Sequence, residues 1–354
     1  MKTLSSKCEV AIYYGGFRRF GGVNSHLRAL EKTLVKDGYV VTVVTLDQLP
    51  FLCRYIPHIV EKLVNLFNLP IGFLCKGYVT RLLYRALFDT RVDIRIFEDI
   101  YISWNSKIPT VTVLHAVWSD NLQAYSVCES DVDRLKCAEI KIINQISHPL
   151  ITVSYPYRDF LENVHFPKSL SRRIGVVELG VDQTNLHFDY KFRQLKSIVY
   201  TGALEARKNV LFLLQVFRQL SIVDSAYKLT IIGDGPEMKS LRDFVDTNNL
   251  SVSFLGRLSN ENVTSELLKH SIYLHTSTKE SFSYALLEAK LAGLKTCAYD
   301  RLQVPSDFID IGVATFDVDD WCQAIVSMEL QPKAFRAENY TVEKMAESTL
   351  RLAR

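Results

Sequence analysis

"SIVYTGALEARKNVLFLLQVFRQLSIVDSAYKLTIIGDG" (residues 197–235) contains two short apolar strands, 197–202 and 228–235, with a helix predicted over 208–220 between them. Strands alternating with helices of this length argue for a parallel sheet covered on both faces. Downstream, "VSFLG" (252–256), "SIYLHT" (271–276) and "LKTCAY" (294–299) read as further strands, with helices over 236–247, 260–269 and 283–292. The same rhythm runs upstream, through "EVAIYY" (9–14), "YVVTVVTL" (39–46), "VDIRIF" (92–97), "TVTVLH" (110–115) and "LITVS" (150–154). "GVNSHLRALEKTLVKDG" (22–38) reads as a helix with Val23, Leu27, Leu30 and Leu34 on one face and Gly38 as its stop. Two such series imply two doubly wound domains joined near 170–182. Folds of this kind take ligands at the carboxyl ends of their strands, so a cleft between the domains is the expected site.

A chain of 354 residues is too long for one core, and two domains are its natural division. Charged residues make up 23% of it, and the net charge of +3 is too small to mark a nucleic-acid binder. The seven cysteines are scattered, with no C-x-x-C pair and no Cys/His cluster at zinc spacing. Neither a disulfide framework nor a metal site is expected, and a reducing compartment fits. The opening "MKTLSSKCEVAIYYGG" has no apolar signal core, and no window reaches the roughly 18 apolar residues of a transmembrane helix. A cytoplasmic protein, free or on a membrane surface, is expected.

One segment breaks the rhythm. Residues 50–88 are rich in Leu, Phe and Tyr and carry Arg54, Lys62, Lys76, Arg81 and Arg85 against a single acid, Glu61. Two readings stand: an amphipathic helix pair that binds an anionic membrane surface, or an apolar face packed on the domain with its basic residues solvated.

Several residues could carry chemistry. Gly21-Gly22 precedes a helix, where free N–H groups favour an anion; a plain turn fits equally, and the spacing is not G-x-G-x-x-G. In "TGALEARKNV" (201–210), Arg207 and Lys208 open a predicted helix. They are either a clamp for phosphate oxygens or a solvated pair, and the poor fit of cations to a helix N-terminus favours the clamp. "IIGDGPEMKSL" (231–241) reads as a turn. In "STKESFSYALLEAKLAG" (277–293), Glu280 falls in a loop and Glu288 in a helix stopped by Gly293. Were both helical, about 12 Å and roughly 80° would separate them, so they form no carboxylate dyad. Among apolar neighbours Glu288 needs a partner, which a ribose diol supplies, and Glu280 could accept from sugar hydroxyls. Two solvated acids are the plain alternative.

Together these features resemble the retaining GT-B glycosyltransferases of family 4. The resemblance covers the whole chain and is strongest from "SIVYTGALEARKN" through "FLGRLSNENV" to "TKESFSYALLEAKLAG"; "GGVNSHLRALEKTLVKDGYVVTVVT" is similar to the family's opening, and "VELGVD" (177–182) to its interdomain linker. It implies an α/β GT-B fold of two Rossmann-like domains facing a central cleft. The expected divisions are 1–173 (acceptor side, with the 50–88 insertion), 174–335 (donor side) and a helical 336–354 returning to the first domain. Gly21 and Gly22 would approach the donor phosphates, with Gly202 at the turn before the clamp. Lys208 and Arg207 would neutralise the diphosphate. Glu288 would hold the ribose, Glu280 and the backbone of Ser281, Phe282, Ser283 and Tyr284 the sugar, and Gly256, Arg257 and Leu258 would border the base. His115, otherwise a structural strand-end histidine, matches a family histidine near the transferred sugar. The catalytic set implied is thus His115, Glu280, Arg207 and Lys208. The chain departs from the family at Ala203, where Arg is common, at Ser283, where Gly is common, and at Lys295, where Pro is common.

The expected reaction is metal-independent and retaining. It moves a hexose from a GDP- or UDP-linked sugar, with no other cofactor, to a glycan or lipid-linked glycan acceptor of lipopolysaccharide or capsule type. The expected place is the inner face of the cytoplasmic membrane, with no nucleic-acid partner. One alternative is a sugar-nucleotide epimerase of similar shape, and the other is a non-catalytic glycan-binding subunit.

Overall fold

The computed structural model describes residues 7–18, 21–66, 71–89, 91–122, 128–183, 194–328 and 335–354. The chain folds into two compact units, Met1–Asp182 with Glu338–Arg354, and Gln183–Ala337.

In the first unit the elements are β1 (Glu9–Tyr13), α1 (Gly22–Lys36), β2 (Val40–Val44), α2 (Ile56–Leu66), α3 (Gly72–Phe88), β3 (Ile94–Phe97), β4 (Thr110–Leu114), α4 (Trp118–Leu122), α5 (Glu129–Gln145), β5 (Leu150–Thr152), α6 (Tyr155–Phe160) and β6 (Gly175–Val176). The strands form one parallel sheet in the order β2-β1-β3-β4-β5-β6. Inner strands β3 and β4 are buried along their whole length, as near-continuous apolar runs in a doubly covered sheet must be. Helix α1 buries Leu27, Leu30 and Leu34, and beside them three polar residues, Asn24, His26 and Thr33. Gly21 caps it at φ 118°, a conformation open to glycine and costly to any residue with a Cβ.

The 50–88 insertion forms two helices. Helix α3 lies on the sheet: Gly77 meets Tyr101, with no room for a Cβ, and buried Tyr84 donates its hydroxyl to the Tyr14 carbonyl at 2.8 Å. Helix α2 packs on α3 and leaves Leu52, Tyr55, Ile56, Ile59, Leu63 and Leu66 exposed at helical spacing. Residues 67–70 of this segment lie outside the described residues.

The second unit contains β7 (Ser197–Thr201), α7 (Val210–Val223), β8 (Lys228–Ile232), α8 (Met238–Thr247), β9 (Val252–Gly256), α9 (Asn260–Leu267), β10 (Ile272–His275), α10 (Tyr284–Leu291), β11 (Lys295–Tyr299), β12 (Ile311–Val313) and α11 (Val318–Val326). Its strands are again all parallel, ordered β12-β11-β10-β7-β8-β9. Ile198, Tyr200, Leu213, Phe217, Leu274 and Trp321 are central to its core. The chain then returns to the first unit as α12 (Val342–Ala353), which packs on α1, β3 and β4 and buries Met345 and Leu350.

The boundary lies later than the expected 173/174. Residues 174–182 belong to the first unit, because β6 completes its sheet beside β5 and Val181 forms a parallel bridge with Thr341. At the crossing, Gln183 Nε2 donates to the Ala337 carbonyl at 2.7 Å. The short strand β12 was not among the predicted strands. Two Asp-x-Asp triplets, 131–133 and 317–319, open helices: Asp131 lies in the first turn of α5, and Asp317 caps α11 by accepting from the N–H groups of Asp319 and Asp320 at 2.9 and 3.1 Å.

Candidate active site

Each sheet has a topological switch point where successive connections diverge, and ligands of doubly wound folds bind outside the strand ends there. In the second unit it lies between β7 and β10. The chain leaving β7 carries Gly202 to Lys208, and the chain leaving β10 carries Thr276 to Ser283. Their side chains converge. Lys208 Nζ donates to Glu280 Oε1, Arg207 Nη1 lies 3.8 Å from Oε2, and His275 Nε2 lies 3.3 Å from Oε1. The two loops are also tied by their backbones: Thr278 donates its N–H to the Arg207 carbonyl at 3.1 Å, and the Thr276 hydroxyl donates to the Lys208 carbonyl at 3.0 Å.

Arg207 and Lys208 do not open the helix, as the sequence predicts. They occupy a 3-10 turn, Ala206–Lys208, and Asn209 in the left-handed conformation (φ 51°) separates that turn from α7. Left-handed backbone suits asparagine better than most non-glycine residues. Arg207 also donates to Glu205 at 2.9 Å and to the Lys279 carbonyl at 3.3 Å. Burial alone would raise the Glu280 carboxyl, but Lys208, His275 and Arg207 hold it well below the ordinary range. Glu280 is therefore ionised, and its charge is met by two cations. The plain alternative of a solvated loop acid is excluded, since its side chain is 10% exposed.

Glu288 stands apart, in the second turn of α10. Burial pushes its carboxyl up to about 7. Phe282 is buried against Phe308 and Tyr284. Ser283 adopts φ 69° and caps α10 by accepting from the Leu286 N–H. A glycine would hold that backbone without the cost a Cβ brings. Gly202, Gly233 and Gly256 end β7, β8 and β9 side by side. Gly202 N–H donates to the Ile232 carbonyl and Gly233 N–H to that of Gly256, and a Cβ on Gly233 would fall 1.8 Å from the Gly202 oxygen. The "IIGDG" turn thus joins the clamp turn to the turn of Gly256, Arg257 and Leu258. Arg257 lies 3.8 Å from Asp234 there.

In the first unit the switch point lies between β1 and β3. His26 on α1, Glu98 after β3 and His115 after β4 meet there. His115 Nε2 is 2.7 Å from Glu98 Oε2, and His26 Nε2 is 3.2 Å from the same oxygen, outside hydrogen-bond alignment. The two rings stand edge to face, with centroids 5.0 Å apart. Burial opposes ionisation of Glu98, yet the two imidazoles hold its carboxyl down at about 2; burial lowers His115. Among the described residues these three are the one group whose ligand atoms, within 4.8 Å of each other, could hold a metal ion. Gly21 and Gly22 begin the helix that presents His26.

A pocket opens beside the cluster, lined by Tyr14, Phe73, Asp99, His115 and Trp118. Phe73, from α3 of the insertion, stacks on Trp118 at 4.5 Å and 12°. Buried Glu139 fixes that wall: it accepts from the Tyr101 hydroxyl at 2.5 Å, from the Trp118 and Ser119 N–H groups at 2.9 and 3.1 Å, and from the Ser119 hydroxyl. Burial pushes Asp99 up to about 7, and Glu139 adds to the effect. Stacked aromatic faces with carboxyl groups at the edge are a chemistry suited to sugars.

Sequence reasoning missed Glu98, His275, Asp99 and Glu139. His275 ends its strand in "SIYLHT" just as His115 follows "TVTVLH", so the same signal could have found it. The others carry no local pattern.

Two family models match the chain: family 4 glycosyltransferases over residues 20–185, and glycosyl transferases group 1 over residues 182–333. The exopolysaccharide phosphotransferase of Streptomyces coelicolor is 33% identical over 138 residues, 37% of this chain and 14% of that protein. One subunit of the human phosphatidylinositol N-acetylglucosaminyltransferase is 24% identical over 301 residues, 81% of this chain and 60% of that protein. In both cases the chain spans less than two thirds of the relative's length. The structure of sucrose-phosphate synthase from Thermosynechococcus elongatus superposes with a TM-score of 0.69 at 15% identity, over 98% of this chain and 94% of that one, a likeness of fold. With its two parallel sheets and with family models matched in succession from residue 20 to residue 333, the chain belongs to the family 4, group 1 glycosyltransferases.

Proposed function

We propose that this glycosyltransferase moves a hexose from a nucleoside-diphosphate sugar, GDP- or UDP-linked, to a hydroxyl of a surface-glycan precursor, with retention and without a metal ion. The convergence of Lys208 and Arg207 on Glu280 at the switch point carries the reading. Glu280 holds both cations at the strand ends before any ligand arrives. A lysine ammonium has three donors and a guanidinium five. Lys208 gives one of its three to Glu280, which leaves donors on its ammonium for phosphate oxygens. Preorganised charge of this kind stabilises a departing diphosphate at no further cost in reorganisation. The acceptor hydroxyl attacks the anomeric carbon on the face the diphosphate leaves, and a phosphate oxygen takes the hydroxyl proton. The C–O bond to phosphate breaks as the new glycosidic bond forms. Glu288 accepts from the two ribose hydroxyls, Glu280 and the 281–284 backbone position the sugar, and His115 is assigned to the transferred sugar.

The acceptor is assigned to a membrane-borne glycan. Two observations support this: the exposed apolar ridge that runs from Leu52 and Tyr55, ahead of α2, along α2 to Leu66, and the exposed cations Lys62 and Arg85 nearby in sequence. Among the described residues no helix is long and apolar enough to cross a membrane, so contact with the bilayer would be interfacial. The relatives named above act, by their names, on an exopolysaccharide and on phosphatidylinositol.

The test is nucleoside-diphosphate release from a panel of GDP- and UDP-sugars, with and without lipid-linked acceptor extract. Acceptor-dependent release, an α product from an α donor, and full rate in EDTA are expected. Full-rate release by Lys208→Ala would falsify the clamp.

A further inference from the structure

We propose that Glu98 is a positioning residue that fixes the tautomer of His115, so that His115 offers an unprotonated Nδ1 to a substrate hydroxyl. The inference rests on the assignment of His115 to the transferred sugar, but the tautomer can be measured without turnover.

An ionised carboxylate only accepts hydrogen bonds, so at 2.7 Å from Glu98 Oε2 the His115 Nε2 must carry its proton. A neutral ring with its proton on Nε2 has a lone pair on Nδ1, the ring nitrogen Glu98 does not engage. His115 lines the pocket beside the Phe73–Trp118 wall, within reach of a polyol seated there. Carboxylates that orient a histidine through its second nitrogen recur wherever one tautomer is needed. His26, 3.2 Å from the same oxygen, adds a second ring around Glu98 and connects it to the helix that Gly21 caps. Glu98 therefore links three chain segments, after β1, β3 and β4, at the switch point. Nothing in the chain's local pattern around "RIFEDIY" marks that role.

The geometry favours this hydrogen bond over a shared metal ion. Two ligand atoms about 2.1 Å from one ion at tetrahedral angles lie roughly 3.4 Å apart. The His115–Glu98 separation is 2.7 Å, the length of a hydrogen bond to a charged acceptor.

The experiment uses the full chain with ¹⁵N-labelled histidine, with His115 and His26 assigned from His115→Asn and His26→Gln. Long-range ¹H–¹⁵N spectra of wild type are expected to show His115 as the Nε2–H tautomer. In Glu98→Gln the amide can donate to Nε2, and a mixed or reversed tautomer is expected. With it, kcat should fall ten- to hundredfold while the donor KM stays within threefold. Glu98→Asp, which keeps the charge, should restore the tautomer and part of kcat, and it serves as the readout should the glutamine variant fail to fold. An Nδ1–H tautomer in wild type, or a tautomer unmoved in Glu98→Gln, overturns the proposal. So does stoichiometric zinc in the purified chain that His26→Gln abolishes. A correct tautomer response with no glycosyl transfer to any acceptor would retain the role of Glu98 and sink the proposed reaction instead.

Discussion

Replacing Glu280 by glutamine keeps the side chain's shape and removes the charge on which Lys208, Arg207 and His275 converge. Breaking a buried ion pair from one side costs about 3–5 kcal/mol. Here Lys208 and Arg207 keep 15% and 25% of their side-chain exposure, so solvent offsets part of that loss. About 2–3 kcal/mol is a reasonable net cost. For a unit of this size that lowers Tm by roughly 5–10 °C. The loss should be present at pH 7 and shrink only in strong acid. The Glu280 carboxyl is held below its ordinary value, so its stabilisation is complete above the unfolded pKa and lost as pH falls through the folded one. A nucleoside diphosphate should raise Tm more in the variant than in wild type, because its charge answers the positive charge that Glu280 no longer meets. Turnover should nevertheless fall at least tenfold, since the sugar loses its carboxylate. The assay is thermal unfolding with and without UDP or GDP, combined with a Lys208→Ala/Glu280→Gln double-mutant cycle. A coupling of at least about 1 kcal/mol is expected for residues in direct contact. Strict additivity, with a Tm within a degree or two of wild type, refutes the reasoning.

Three further outcomes follow from described features. Glu288, raised to about 7 by burial, contributes stability that is full below its unfolded value of 4.5 and is lost as pH rises through 7. Only its ionised form accepts both ribose hydroxyls, so donor KM should fall as pH climbs through 7; both slopes should vanish in Glu288→Gln. Ser283→Gly should stabilise the second unit by about 0.5–1 kcal/mol in denaturant titrations, since relief of the φ 69° backbone exceeds the few tenths lost with the cap. Ile59→Glu with Leu63→Glu places charges on the exposed ridge of α2, away from the core, and should abolish flotation with anionic vesicles while Tm moves by less than a degree. Unchanged flotation assigns the ridge to something other than lipid.

Alternation of strand and helix is a local property, and "SIVYTG" and "KLTIIGDG" carried it plainly into β7 and β8. The short β12 carried too little of it to be seen. Arg207 and Lys208 stood out in the sequence as a pair, but not the turn that holds them, because the left-handed Asn209 behind them looks like any helix residue. The partnerships were the hidden part. Lys208 meets Glu280 across 72 residues and Glu98 meets His115 across 17, joined only because a parallel sheet gathers the carboxyl ends of its strands at one edge. Glu280 read as a solvated acid or a sugar ligand, and the structure makes it first the anchor of the cations. The insertion read as a basic, aromatic pair of helices sharing one role. Gly77 and Tyr84 attach α3 to the sheet, whereas α2 leaves Ile59, Leu63 and Leu66 exposed, and no periodicity of charge distinguishes the two helices.

The return of α12 to the first unit makes the second unit a cassette. The chain enters it at Gln183 and leaves it at Ala337, and those two residues are hydrogen-bonded to one another. Val181 and Thr341, in the first unit, are joined by a backbone β-bridge. Residues 183–337 can therefore be expressed as one continuous piece, while a simple truncation after residue 182 strips α12 from α1, β3 and β4 and should leave an insoluble remnant. A graft of the corresponding segment from another family member needs only two junctions a few ångströms apart. On the proposed assignment of the donor to the second unit, such a graft exchanges donor choice without rebuilding the surface that α12 closes.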